Sequence, residues 1–321
     1  MVFQWIPGQG PDPDSLARIE RHFPRPATAM GEAWFMGEER EMYPSLLERD
    51  VAEHSIEELQ VFLVEIATGL KNLGLSDAWP EWYGYLMPRC LPRSFQRESR
   101  NFGDYLVEYL VTAFMSVMPD SSIDWGYDAF RDDALKTLGQ AIMAPDLWPR
   151  GSEKSVDCLH PEAIDRPGYP VWTETSGDFA ASMFFCLKYL EANDIPGWIK
   201  SAFAIPCPRW RAQMLVWLCD VKSFLDSTLL QPSEMEGNYT LYGGWAWSYI
   251  INGENMAYNE WKEPIEFLPA GNRARCHETI SELLNEKLLS EWLESLMEFE
   301  SLFDQLTATE VPERLRRAYQ F

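Results

Sequence analysis

Apolar residues recur at intervals of three and four through most of the chain. Between Ser55 and Leu73 they fall at Ile56, Leu59, Phe62, Leu63, Ile66, Ala67 and Leu70, the spacing of one helix face. Ser55 followed three residues later by Glu58 makes a capping box at the start, and Gly74 marks the end. The same rhythm predicts a helix from Asn101 to Met118, stopped by Pro119, and another from Asp128 to Met143, ended by Pro145 and Pro149. Further helices are expected at Phe179–Ala192, Gly197–Ala204 and Trp210–Leu225. The last predicted helix, Cys276–Leu306, is the longest. Its stripe is Ile280, Leu284, Leu288, Trp292, Leu296, Phe299, Phe303 and Leu306.

The breaks in this pattern are as informative as the runs. Residues 1–30 are rich in proline and read as an irregular arm with one short helix, Ser15–His22, capped by Asp14 or Ser15. Residues 144–178 hold clustered proline and glycine and read as a connector or folded loop. The stretch 239–253, YTLYGGWAWSYIING, fits either a short helix after Gly243-Gly244 or a hairpin, and helix is favoured because no other strand pairs with it. The expected fold is therefore all-α, built of antiparallel helix pairs as a bundle or HEAT-like α-solenoid, with room for one short β-hairpin. A midpoint at residue 150 separates an N-terminal helical part, 1–150, from a C-terminal part, 151–321, packed as one elongated unit.

Charge changes the picture most. Fifty acidic residues against 27 basic ones give a net charge of −23. Such a chain is repelled by phosphate backbones and anionic lipid, so neither nucleic acid nor membrane is an expected partner. A basic protein would be steered towards it, although acidity also serves plain solubility. No run of about 18 apolar residues is present, and the first residues lack a basic, then apolar, leader. With six scattered cysteines and no CxxC pair, these features point to the cytoplasm.

No chemistry-bearing motif is complete. Cys158-x-His160-x-Glu162 resembles half of a zinc-deaminase site, but Pro206-Cys207-Pro208-Arg209 lacks the second cysteine of the other half. Arg275-Cys276-His277-Glu278 reads as a helix start, because adjacent helical residues point about 100° apart and cannot form a nucleophile–base pair. Asp128, Asp132 and Asp133 read as a solvated helix face, with no ExxH partner following. Neither a nucleophile elbow nor a phosphate loop, dinucleotide fingerprint or calcium loop is present in the sequence. The expectation is a protein that is not an enzyme and needs no cofactor or metal.

Two surfaces remain as partner-binding candidates. From Glu278 to Glu313 ten acidic residues face the single Lys287, and Glu282, Glu286, Glu291, Glu294 and Glu298 fall largely opposite the apolar stripe. Arg314, Arg316 and Arg317 then suit a helix C-terminus. The second candidate is aromatic: Trp79 and Trp82 in DAWPEWYGYLMP, and Trp245 and Trp247 later. Proline and glycine place these rings at turns, where a packing plug is the commoner role and an interface anchor the rarer one.

In overall character the chain resembles the immunity proteins that protect bacteria from polymorphic toxins: acidic, Trp-rich, helical and without a catalytic motif. The resemblance rests on that character and carries over no residue. It implies an inhibitor that neutralises a cognate, basic toxin domain by direct protein–protein binding. A HEAT-like scaffold is the alternative from the helical rhythm, and an enzyme with scattered carboxylates is the other.

Overall fold

A computed structural model describes residues 3–35, 38–73, 78–95, 106–119, 126–148, 177–232, 266–297 and 310–321. The described residues form twelve α-helices and one short hairpin, so the all-α expectation holds. The capping box is present as read: the Ser55 amide donates to Glu58 Oε2 at 2.8 Å, and the Glu58 amide donates to Ser55 Oγ at 3.1 Å. It opens α3, Ile56–Leu73. The hairpin is not where sequence placed the option. Strands β1, Glu32–Phe35, and β2, Glu38–Glu41, pair antiparallel with Glu32 opposite Glu41. Residues 239–253 lie outside the described residues.

The N-terminal part contains α1 (Pro13–His22), the single-turn α2 (Ser45–Glu48), α3, α4 (Ala78–Cys90), α5 (Val107–Val117) and α6 (Phe130–Thr137). Helix α1 starts earlier than expected. Asp12 is the cap, its carboxylate accepting from the Ser15 amide at 2.9 Å, and Pro13 takes the first helical position, where no N–H is needed. The predicted 128–143 helix is shorter, because the chain tightens into a 3-10 turn over Leu138–Met143.

Helix α4 is the largest departure. Proline and glycine in DAWPEWYGYLMP read as turn signals, yet the segment is helical. Pro80 is the third residue, inside the first turn, where amides have no intrahelical partner to lose. Gly84 is needed for packing, since a Cβ there would lie 2.3 Å from the Phe23 ring. Trp79 and Trp82 are therefore core residues, 1% and 0% exposed.

Helix α5 is the centre of the arrangement, packed between α3, α4 and α7 (Gly177–Tyr189). Its contact with α7 crosses the expected boundary at residue 150, and one hydrophobic cluster runs through both parts. Beyond α7 come α8 (Ile195–Phe203) and α9 (Pro208–Leu225), then α10 (Ala270–Leu283), α11 (Glu286–Leu296) and α12 (Val311–Tyr319). Helix α9 is packed by α10, α11 and α12. The N-terminal arm is threaded into this part: the Trp5 indole donates to the Gly139 carbonyl at 2.7 Å and sits edge-on to Trp198 and Trp210. Among the described residues no helix is long and apolar enough to cross a membrane.

Candidate functional site

The single long helix expected from Cys276 to Leu306 is broken within its described residues, 276–297. Helix α10 ends at Leu283, and Asn285 caps α11 by accepting from the Leu288 amide at 3.0 Å. The apolar stripe continues across the break because Leu284 stays buried between the two. The stripe hid the break, while Asn before Glu286 was the signal for a new helix start. The Arg275–Glu278 group lies within α10 rather than at its start.

The carboxylates then divide by what they meet. Glu278, Glu282, Glu286, Glu291 and Glu294 are all exposed, opposite the buried Cys276, Ile280, Leu289, Trp292 and Leu296. Arg316 of α12 grips Glu286 with two hydrogen bonds, at 2.7 and 3.0 Å, and also reaches Glu313 at 3.0 Å. That contact, chiefly the hydrogen bonds from Arg316, holds the Glu286 carboxyl below its ordinary range. Glu278 meets Arg275 at 2.9 Å and Glu291 meets Lys287 at 3.8 Å. Among the described residues, the Glu282 and Glu294 side chains make no hydrogen bond or ion pair. Beside this face an open depression of about 520 Å³ is lined by Glu310, Glu313, Arg316 and Arg317, whose charges answer one another.

The remaining sequence candidates fall elsewhere. Trp79 and Trp82 offer no ring to a partner; the Trp82 indole donates inward to the Thr28 carbonyl at 3.2 Å. Glu298, Trp245 and Trp247 lie outside the described residues, as does the Cys158–His160–Glu162 group. Cys276 is fully buried and burial pushes its thiol well up, which removes it as a nucleophile.

Two aspartates are buried, one of them expected on a solvated face and the other not singled out in the sequence. Asp133 is not on a solvated face: it is 1% exposed, takes Arg18 at 2.5 and 3.0 Å, and accepts from the Tyr127 hydroxyl. Asp220 is 3% exposed on α9, with Arg314 at 3.3 Å and, among the described residues, no hydrogen-bond partner for its Oδ2. An aspartate inside the apolar run VWLCDV was the signal for such a group. Among the described residues, no three histidine, cysteine or acidic side chains are grouped to hold a metal ion.

Comparison with models of protein families, with curated proteins and with solved structures gives no match.

Proposed function

We propose that this chain is a protein-binding inhibitor that captures a basic partner on the α10–α11 carboxylate face, with the partner a cognate bacterial toxin domain. The supporting observation is the pair Glu282 and Glu294, exposed on neighbouring helices and unneutralised among the described residues, in a chain of net charge −23. Unpaired carboxylates on a strongly acidic surface accelerate encounter with a basic protein and repel acidic ones. The toxin class comes from the overall resemblance; the basic character of the partner comes from the charge.

Co-expression with the product of the neighbouring open reading frame tests both parts. The expected result is restored growth and a co-purifying complex whose association slows as salt rises. A Glu282→Lys/Glu294→Lys double variant should slow association about tenfold at low salt, with less difference at high salt. No complex and no rescue would sink the inhibitor reading. A complex indifferent to both salt and charge reversal would keep the inhibitor and remove the carboxylate face from it.

A further inference from the structure

Helix α12 is the last of the described helices, and residues 297–310 lie between it and α11. Its apolar footprint is small: Val311, Pro312 and Leu315 are its buried residues. Polar contacts complete the seat. The Tyr319 hydroxyl donates to the Leu218 carbonyl at 2.9 Å, the Cys219 thiol faces the Val311 carbonyl at 3.9 Å, and Arg314 reaches Asp220 at 3.3 Å. Both ends are strained, for Glu310 and Gln320 hold left-handed φ values of 55° and 57° without being glycine. Beneath the helix, Asp220 keeps one buried oxygen unmatched.

We propose that α12 is a detachable clasp over α9, seated while Asp220 carries a proton and released as it ionises. Charge on a buried carboxylate with a single cation contact is poorly compensated, and undocking α12 returns it to water. Titratable and charged groups face this seat from four helices. Helix α12 contributes Arg314 and Tyr319, and α9 itself contributes Cys219, with Lys222 and Asp226 further along near Tyr319. Helix α10 brings Cys276 and His277 against Tyr319, while on the α11 side Glu286 is already held by Arg316. Arg314 is the cation that opposes the effect, and burial outweighs it: the Asp220 carboxyl rises from 3.8 to about 7. The seated form therefore binds the proton more tightly than the open form. Seating is strongest below 3.8 and is lost as pH rises through about 7. Release also takes Arg316 from Glu286, so the position of α12 sets how much of the carboxylate face is open.

Cys219 lies under the clasp and reports on it. In the full chain, its labelling by a maleimide is followed by mass spectrometry at pH 6 and pH 8, corrected for the thiolate fraction of a free thiol. The open fraction should rise about tenfold between these pH values and stay flat in Asp220→Asn. Cys186, buried in α7, should not follow it. Amide exchange of residues 311–319 in the unsubstituted chain, corrected for intrinsic rate, should show the same rise and needs no substitution. Corrected Cys219 labelling or exchange that is equal at the two pH values would overturn the clasp. So would an unchanged pH response in Asp220→Asn, or labelling of Cys186 in step with Cys219.

Discussion

Helices α1 and α12 are the first and last of the described helices, and each reaches back with an arginine to an aspartate buried on another helix. Around Asp133 the partners form a continuous relay. Asp12 accepts from the Ser15 hydroxyl at 2.6 Å, Ser15 accepts from Arg18 at 2.7 Å, and Arg18 makes two bonds to Asp133, which also takes the Tyr127 hydroxyl. Around Asp220 there is one contact at 3.3 Å and one oxygen unmatched. Burial raises both carboxyls. At Asp133 the bonds from Arg18 and Tyr127 outweigh it and hold the group below its ordinary range, whereas at Asp220 burial wins and the group rises to about 7. Two residues of one type, both with almost no exposed surface, thus depend on pH in opposite directions. Asp220 lies deeper in the protein, and Asp133 is met by more donors.

The comparison is broken most severely by unseating α1 altogether. Gly84→Ala puts a Cβ 2.3–2.7 Å from three ring atoms of Phe23, the residue that follows α1. The ring is held between Tyr127 and Phe130 and has little room to turn. Overpacking of this kind should cost about 3 kcal/mol, measured as a lower denaturation midpoint with unchanged slope. Among the described residues, no glycine under α12 is held so tightly.

Asp133→Asn and Asp220→Asn come next and should differ in sign. The first removes the charge that Arg18 and Tyr127 are arranged to meet, and should destabilise by about 2 kcal/mol at pH 7. Because the folded-state pKa of Asp133 is depressed, its contribution is present above 3.8 and disappears as pH falls through the folded value, so the two proteins converge in acid. Asp220→Asn removes a charge that is poorly met and keeps an acceptor for Arg314. Its stabilisation of α12 should vanish only below pH 3.8 and grow with pH, being about 1.4 kcal/mol (the same tenfold) larger at pH 8 than at pH 6, read from amide exchange in residues 311–319. If both substitutions destabilise equally at pH 8, partner count is not what separates the two sites.

Sequence reading reached the local parts of this picture and stopped at the distant ones. The Ser55–Glu58 box, the α7, α8 and α9 spans and the alternation of buried and exposed positions are all set by neighbours within a few residues. Helix α4 was missed because proline and glycine signal turns on average, and only tertiary contacts show that Pro80 sits in a first turn and Gly84 under Phe23. The pairing of Arg18 with Asp133 spans 115 residues, and that of Arg314 with Asp220 spans 94. Neither has a local trace, apart from Asp220 lying in the apolar run VWLCDV. The exposed carboxylates of α10 and α11 were legible from periodicity, yet Arg316 on Glu286 was not, since it depends on where α12 docks.

The smallest expected effect concerns the helix starts and also carries opposite signs. Asp12 has φ −69° and binds the Ser15 amide and hydroxyl, so Asp12→Gly loses a working cap and should cost about 0.5 kcal/mol. Glu310 has φ 55° and no side-chain cap. A left-handed non-glycine residue costs roughly 1–2 kcal/mol, whereas glycine's extra unfolded entropy costs about 0.5–1 kcal/mol. The ion pair lost with Glu310, at 3.6 Å to Arg317 and exposed on both sides, is worth next to nothing. Strain relief outweighs these two losses, so Glu310→Gly should slow amide exchange across 311–319 by about twofold, or roughly 0.5 kcal/mol. Faster exchange would mean that the left-handed start is not a source of strain, and would leave the buried Asp220 of α9 as what weakens the seat of α12.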